Sequence, residues 1–266
     1  MKRILVTNDD GVRSPGLAAL ARALSRFGAV TVVAPTREAS AIGHALTLHH
    51  PLRYEHLGDD VYAVDGTPTD CVNIGIATIL RGLPDLVASG INKGFNLGDD
   101  VTYSGTVSGA LEGALLGVPS LAVSLDRVAG EYDFSHAAAA AAEVAGQILE
   151  RGLPARTFLN VNVPTGVPKG FRVTVQARRN HRASISERRD PKGRAYYWIG
   201  ESLDEWDLEE GTDYLAIKAG CVSVTPMHPD MTAHQVLDVV RAMSWPASCD
   251  EPPRGVPHRS FGTADR

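Results

Sequence analysis

The residues that first point to chemistry are Asp9 and Asp10, which follow a short apolar run over residues 4–7. That run predicts a buried strand, and Asn8 to Gly11 predict an abrupt turn at its carboxyl end. Two neighbouring carboxylates in such a place repel each other and lose hydration, and a divalent cation between them relieves both effects. The pair therefore predicts a metal site. An ordinary turn, in which Gly11 supplies a positive φ, remains the alternative reading of this stretch alone.

Two further loops that follow predicted strands carry oxygen-bearing side chains. Ser40 lies in the polar loop over residues 35–44, and Asn92 and Asn96 lie in the glycine-rich loop over residues 90–100. Because ligands of open α/β sheets bind outside the carboxyl ends of the strands, we expect these loops to meet at one edge. Carboxylates, a hydroxyl and carboxamides are hard donors, which suit Mg²⁺ or Mn²⁺, with Ca²⁺ as a third option, better than Zn²⁺.

A third candidate is the sequence Ser104-Gly105-Thr106, which precedes a helix of small residues predicted to run to Leu116. Hydroxyls and free backbone N–H groups at a helix start can bind an anion. An ordinary N-cap without a ligand explains the same residues. A hard cation beside an anion-binding helix start forms a phosphate site, and attack of water on a phosphomonoester is the simplest reaction there.

The elements that must position these residues begin with a strand–helix–strand unit. The strand over residues 4–7 is followed by a helix that starts at Pro15, and Gly28 is placed to end it. The next strand covers residues 30–34. This order predicts an α/β fold with a mostly parallel sheet and right-handed crossovers.

The rest of the chain continues the α/β pattern. Thr67, Pro68 and Asp70 predict a capped helix start, with Asp70 as the reciprocal acid of a capping box. Further strands are predicted at residues 47–48, 61–64, 86–89, 121–124, 158–163, 171–176 and 222–225, and helices at 135–149 and 233–243.

Two segments differ from this pattern. Residues 178–211 are polar and carry Tyr196-Tyr197-Trp198, which predicts a protruding hairpin arm whose aromatic residues meet a partner subunit. Residues 246–266 are rich in proline, glycine and charge, which predicts a disordered tail. We therefore expect one domain over residues 1–245.

Composition limits the partners and the compartment. The net charge of −5 gives no basic surface for a nucleic-acid polymer, and no apolar run is long enough for a membrane span. The first strand begins directly after Met1-Lys2-Arg3, which leaves no room for a signal peptide. Three scattered cysteines suit a reducing compartment. We therefore expect a cytoplasmic protein without membrane or nucleic-acid partners.

Several long motifs, in order, give a more specific indication. The chain resembles the SurE family of 5'-nucleotidases from Met1 to about Trp245. The matching stretches are ILVTNDDG (4–11), VVAPTREAS (32–40), GTPTDCV (66–72), SGINKGFNLGDD (89–100), YSGTVSGA (103–110) and VTPMHPDMT (224–232). Phe95 departs from the family pattern, in which proline is expected, although this change removes no ligand.

The resemblance implies which residues act. It implies one divalent cation per subunit, held by Asp9, Asp10, Ser40 and Asn92. It also implies phosphate contacts from Asn96, Ser104, Gly105 and Thr106. The implied activity is metal-dependent hydrolysis of nucleoside 5'-monophosphates to nucleoside and phosphate, with side activity on 3'-nucleotides and short polyphosphate.

The resemblance further implies a Rossmann-like three-layer sandwich with a hairpin arm and a C-terminal helical segment that subunits exchange, in a homodimer or homotetramer. Asp9 and Asp10 are the candidate catalytic residues. Asp9 is expected to orient or deprotonate the attacking water, and Asp10 to anchor the cation. His234 and Asp230 could form an acid–base pair, or they could have a hinge or capping role before the last helix.

Three rival interpretations remain at this point. A phosphatase that forms an aspartyl-phosphate usually has two aspartates one residue apart, whereas Asp9 and Asp10 are adjacent. A receiver-like signalling domain also places an acidic pair after its first strand, but Ser40 occupies the loop comparable to that of its phosphate acceptor. The third is a nucleotide-binding module without turnover.

Overall fold

A computed structural model of the chain describes residues 1–39, 41–126, 131–178, 184–200, 206 and 208–245. Its strands, in chain order, are β1 (Lys2–Thr7), β2 (Gly28–Pro35), β3 (Tyr54–Gly58), β4 (Val61–Val64), β5 (Leu86–Lys93), β6 (Ser120–Leu125), β7 (Phe158–Val163), β8 (Phe171–Val173), β9 (Ser184–Arg189), β10 (Ala195–Gly200) and β11 (Val222–Met227). Its α-helices are α1 (Pro15–Leu24), α2 (Pro68–Ile74), α3 (Gly105–Leu115), α4 (Ser135–Arg151), α5 (Asp213–Lys218) and α6 (Leu237–Arg241).

Within the described residues, nine strands form one sheet in the order β3-β4-β2-β1-β5-β6-β7-β11-β8. The strands from β4 to β7 in this order run parallel. Strand β3 pairs antiparallel with β4, β11 pairs antiparallel with β7, and β8 pairs parallel with β11. This mostly parallel sheet confirms the predicted α/β, Rossmann-like fold. Burial on both faces explains why the central strands read as continuous apolar runs.

Helices cover both faces of the sheet, and strand β1 shows how the sequence builds the two layers. Side chains alternate between the faces of a strand. Ile4 and Val6 therefore pack with α1 and α4, whereas Leu5 packs with Cys71 and Val72 of α2 on the other face. Helix α3 lies beside α2 and packs on β5 and β6. Its glycines allow this approach, since a Cβ at Gly109 would lie 2.8 Å from Ser89 Oγ.

Strand β5 runs to Lys93, beyond its predicted end at Ser89, so that Asn92 lies in the strand and not in the loop after it. Two other local predictions are wrong. Helix α1 ends at Leu24 and Gly28 begins β2, where its backbone lies so close to Lys2 that a Cβ would be 2.0 Å from the Lys2 carbonyl oxygen. Gly28 is thus needed for strand contact. Residues 47–48 form no strand, because the Thr47 N–H donates to the Asp70 side chain at 2.9 Å. The strand that pairs with β4 is β3, further along the chain.

The described part of residues 178–211 contains an antiparallel pair, in which β9 and β10 align Tyr197 with Glu187 and Trp198 with Ser186. Several apolar side chains of β10 are exposed, among them Trp198 at 61% and Ile199 at 81%. No helix in the described residues is long and apolar enough to cross a membrane.

The contacts divide the chain into a unit over residues 1–229 and a second over residues 230–266. The second is described from Asp230 to Trp245. The predicted helix over 233–243 is shorter than expected, since a 3₁₀ turn (His234–Val236) precedes α6. Its apolar side chains Val239 and Met243 are exposed. The predicted tail over 246–266 lies outside the described residues.

Candidate metal and phosphate site at the ends of β1 and β5

The candidate site lies at a topological switch point of the sheet. From β1 the chain crosses to β2 on one side, while β5 pairs with β1 on the other. Such a reversal leaves a crevice at the carboxyl ends of the strands, where α/β proteins bind ligands. The β1–β5 register pairs Thr7 with Ser89, so Asp10 and Asn92 each follow a paired position by three residues. Asp10 and Asn92, which are far apart in the chain, therefore lie at the same edge of the sheet.

Asp9 is buried against the start of α3. Its side chain is 5% exposed, and its Oδ1 accepts a short hydrogen bond from the Thr106 hydroxyl. Gly105 permits this approach, because a Cβ there would lie 2.8 Å from Asp9 Cβ. Burial raises the pKa of Asp9, and the neighbouring charge of Asp10 adds to that rise, although hydrogen bonds from Thr106 oppose it. The carboxylate is placed where a cation would stabilise its charge.

Asp10 points towards different partners. Lys93 Nζ lies 3.8 Å from Asp10 Oδ1, and the Ser14 hydroxyl lies 3.4 Å from Oδ2. Desolvation raises the pKa of Asp10; the charge of Lys93 lowers it and that of Glu38 raises it again. The Lys93 contact links the ends of β1 and β5 directly.

The other two predicted ligands have different outcomes. The Nδ2 of Asn92 donates to the Gly94 carbonyl at 3.0 Å, so Oδ1 is the atom available to ligate a cation. Ser40 lies outside the described residues. The residue before it, Ala39, donates its N–H to the Asp9 carbonyl at 2.8 Å.

The start of α3 is the predicted phosphate cradle. Ser104 is its N-cap, and its hydroxyl oxygen accepts from the Val107 N–H at 3.1 Å. The Thr106 hydroxyl is committed to Asp9. The structure thus brings Ser104, Gly105 and Thr106 to the carboxylate pair, with Thr106 holding Asp9 in place.

Asn96 is held by a buried network that the sequence interpretation missed. Its backbone N–H donates to Asn162 Oδ1 at 2.9 Å, and its carbonyl accepts from the side-chain Nδ2 atoms of both Asn160 and Asn162 at 2.9 Å. Its own Nδ2 donates to Ser124 Oγ at 2.8 Å. The loop after β5 is therefore fastened to β6 and β7. The signal was the period-two pair of asparagines in the otherwise apolar strand β7.

The donor set fits a hard cation. Burial would leave the charges of Asp9 and Asp10 poorly compensated, and carboxylate and amide oxygens are ligands that Mg²⁺ and Mn²⁺ accept. The described residues contain no cluster of three His, Cys, Asp or Glu side chains able to hold a metal. A cation here therefore depends on two carboxylates supplemented by neutral oxygens.

The pair His234 and Asp230 is exposed and lies in the second unit. Its Nε2–Oδ2 distance is 2.9 Å. Hydrogen bonds from Thr232 and then from His234 hold the pKa of Asp230 well below its usual range. Asp230 Oδ1 also accepts from the Thr232 N–H at 2.9 Å. These contacts order the turn before the 3₁₀ segment, and the proposed acid–base role stays a prediction.

Comparison with known proteins gives consistent matches. The family model described as survival protein SurE matches residues 4–183. The chain is 53% identical to the 5'-nucleotidase SurE of Geobacter sulfurreducens over 257 residues, covering 96% of this chain and 97% of that protein. It is also 53% identical to the 5'-nucleotidase SurE of Syntrophotalea carbinolica, covering 93% and 99%. The crystal structure of a SurE protein from Aquifex aeolicus superimposes with a TM-score of 0.81 at 45% identity, covering 90% of this chain and 98% of that chain.

Proposed function

The chain belongs to the SurE family, and from that premise we propose that it is a metal-dependent 5'-nucleotidase that hydrolyses nucleoside 5'-monophosphates to nucleoside and phosphate. Relatives that carry the name 5'-nucleotidase match more than nine-tenths of its length at 53% identity. The proposal also includes side activity on 3'-nucleotides and short polyphosphate.

One observation carries the metal dependence: two adjacent carboxylates, both with raised pKa, lie at the switch point of the sheet. Without a cation, burial disfavours the ionised form of Asp9 and Asp10. Ligation by a doubly charged ion reverses that balance. Asp9, Asp10, Ser40 and Asn92 would hold it. When bound, the cation supplies a Lewis acid that polarises a phosphoryl oxygen and lowers the pKa of a water ligand.

The residues of the chain then have distinct tasks. Asp9 orients or deprotonates the attacking water, and the Thr106 hydroxyl fixes the carboxylate in one rotamer. Asp10 would anchor the cation. The ammonium group of Lys93 already compensates part of the negative charge of the Asp10 carboxylate. Both carboxylates would hold the cation, and the more buried one, Asp9, also handles the proton of the water.

In this proposal the phosphoryl group of the substrate binds at the start of α3. Backbone N–H groups and the Ser104 hydroxyl donate hydrogen bonds to its oxygens as negative charge develops. Asn96, fixed by Asn160 and Asn162, supplies a further polar contact from the loop after β5. The water oxygen forms a bond to phosphorus while the bond from phosphorus to the 5' oxygen breaks. The 5' oxygen of the departing nucleoside takes up the proton that the water loses.

The test is phosphate release from a panel of nucleoside 5'-monophosphates, 3'-monophosphates and tripolyphosphate. It is run with Mn²⁺, Mg²⁺ or Ca²⁺ and with EDTA. We expect turnover of the 5'-monophosphates with at least one cation and its loss with EDTA. Unchanged release in EDTA would overturn the metal dependence, and binding without release would favour a nucleotide-binding module. A phosphoenzyme trapped by acid quenching would favour the aspartyl-phosphate route.

We also propose that the chain assembles with itself. The exposed apolar residues of the hairpin and of residues 236–243 support a subunit interface, since such clusters commonly mark contact sites. Light scattering after size-exclusion chromatography tests this, with a dimer or tetramer expected. A monomer at the working concentration would contradict it.

A further inference from the structure

A second feature of the same sheet edge is a cleft of about 820 Å³ beyond the ends of β5, β6 and β7. Gly94 and Phe95 line it after β5, Asp126 after β6 and Pro164 after β7. Because Gly94 follows Asn92 by two residues, the cleft begins within about 7 Å of the Asn92 Cα. Its volume lies within the range of about 300–1,000 Å³ usual for small-molecule sites.

Three aromatic side chains take part in the lining of the cleft. Trp206 and Tyr214 stack with their centroids 4.6 Å apart and their planes at 8°. Phe95, Trp206 and Tyr214 all line the cleft and are half-buried. Planar aromatic surfaces that are held in place and partly accessible are the groups on which a nucleobase stacks.

The aromatic wall is rigidly attached to the loop after β5. Asp213, fully buried at the start of α5, accepts hydrogen bonds from the N–H groups of Gly98 at 2.9 Å, Ala177 at 3.0 Å and Tyr214 at 2.8 Å. Gly98 itself lies under Trp206, since a Cβ there would be 2.7 Å from Trp206 Cζ3. The loop that carries Phe95 and the wall that carries Tyr214 are therefore one unit.

Polar groups of both signs complete the lining. The carboxylates are Asp100 and Asp126, and the ammonium groups are Lys169 and Lys218, the last lying 5.3 Å from the Tyr214 ring centroid. Carboxylates accept from ribose hydroxyls and base amino groups, and ammonium groups donate to base carbonyl oxygens. The lining thus combines aromatic surfaces with polar groups of both signs. Such convergent polar groups can orient a small ligand in a cleft.

Taking the proposed function as the premise, we propose that this cleft is the nucleoside subsite. The phosphoryl group lies at the Asp9–Asn92 edge, the ribose passes over Gly94, and the base packs against Phe95 and the Trp206–Tyr214 pair. Aromatic stacking is tolerant of base identity, so the subsite selects nucleotides over phosphate esters of non-aromatic alcohols more strongly than it selects one base.

The first test compares Trp206→Leu with a matched control, Trp198→Leu on the hairpin. Both are assayed with nucleoside 5'-monophosphates and with ribose 5-phosphate, which has no base. For Trp206→Leu we expect the ratio of the two kcat/KM values to fall about tenfold, because base stacking is lost. The control keeps the ratio of the parent protein. An equal fall for both substrates in Trp206→Leu would overturn the subsite.

The second test measures binding without turnover. A variant carrying Trp198→Phe and Trp245→Phe retains Trp206 as its one tryptophan, and its fluorescence is titrated with a nucleoside and, separately, with inorganic phosphate. The nucleoside should quench the emission, and adding Phe95→Leu should raise its Kd about fivefold. Quenching by phosphate alone, or a Kd unaffected by Phe95→Leu, would overturn the assignment.

These two tests separate the subsite from the proposed activity. Nucleoside binding at Trp206 in a protein that releases phosphate from no nucleotide would contradict the activity and leave the subsite standing. The opposite result is nucleotide turnover with an unchanged substrate ratio in Trp206→Leu and an unchanged Kd in Phe95→Leu. It would contradict the subsite and leave the proposed activity standing.

Discussion

Helices α2 and α3 both begin with a hydroxyl-bearing N-cap residue, but the acidic side chain at each helix start has a different role. In α2 the N-cap Thr67 and Asp70, three residues later, form a reciprocal capping box. In α3 the N-cap Ser104 bonds to Val107, and no acidic residue lies in the first turn. The acid at the start of α3 is Asp9, which lies in the turn after β1 and accepts a hydrogen bond from the Thr106 hydroxyl.

The difference teaches when a helix start can serve a ligand. Asp70 caps the start of α2 and also accepts two hydrogen bonds from Thr47. Its carboxylate therefore has only a structural role. Asp9 accepts hydrogen bonds from Thr106 and lies beside a second carboxylate, and burial raises its pKa despite those hydrogen bonds. A buried carboxylate whose charge is fully compensated by hydrogen bonds has a structural role. A buried carboxylate whose charge is not compensated is a candidate for catalysis or metal binding.

The largest effect expected from this contrast is that of Asp9→Asn. The amide keeps the size of the side chain and an acceptor for Thr106 but loses the charge that the metal needs. We expect kcat to fall by at least about 10²–10³, while the free energy of unfolding of the metal-free protein stays the same or rises. Steady-state kinetics with Mn²⁺ and urea unfolding measure the two. Near-normal turnover would show that the cation site is assigned wrongly.

A second prediction concerns pH and metal. The raised pKa of Asp9 and Asp10 means that the folded state binds these protons more tightly than the unfolded state does. The contribution of these two groups to the stability of the metal-free protein should therefore decline as pH rises from about 4 through the raised values. At pH 7, saturating Mn²⁺ at 100 times its Kd should restore about 2.7 kcal/mol.

Thermal unfolding between pH 4 and 7, with EDTA or Mn²⁺, tests this prediction. Asp9→Asn is the control, since it removes one of the two titrating groups and should show both a shallower decline and a smaller effect of Mn²⁺. Asp213, whose pKa burial also raises, contributes equally to both proteins. An equal response to Mn²⁺ in the two proteins would count against a metal at Asp9.

Asp70→Asn is the counterpart of Asp9→Asn on the closed helix. It removes charge-assisted acceptors for Thr67 and Thr47, whose N–H groups each lie 2.9 Å from the Asp70 carboxylate. We expect the protein to lose about 1–3 kcal/mol of stability while kcat changes less than about twofold. Should Asp70→Asn lower kcat as far as Asp9→Asn does, the contrast between the two helix starts does not hold.

For Gly105→Ala we expect a smaller loss of kcat than for Asp9→Asn. Alanine is the better helix former, but its Cβ would lie 2.8 Å from Asp9 Cβ and 2.9 Å from Oδ2. Displacing the carboxylate should lower kcat about tenfold. Gly146→Ala in α4 is the control, since its Cβ would meet Phe27 at an ordinary 3.4 Å. It should gain up to about 1 kcal/mol of stability with normal kcat, and similar kcat values for the two variants would contradict the prediction.

Local patterns predicted much of the fold. The capping box at Thr67, strand β7 and the parallel sheet are as expected, because capping chemistry and hydrophobic periodicity act over a few residues. The errors at Gly28 and at residues 47–48 arose where a distant partner decides the conformation. Lys2 lies against Gly28, and Asp70 captures Thr47. The departure at Phe95 was visible in the sequence, but not its place in a cleft with Trp206.

The sequence by itself determined which side chains are available to do chemistry. Asp9 and Asp10 follow one apolar strand and Asn92 lies near the end of another. The order of the motifs identified the family. Only the tertiary structure decided which side chains become hydrogen-bond partners. Thr106 donates to Asp9, and the side chains of Asn160 and Asn162 donate to the Asn96 carbonyl. The physical reason is that side-chain types and spacings act locally, whereas partners far apart in the chain are set by strand order and register, which no single stretch encodes.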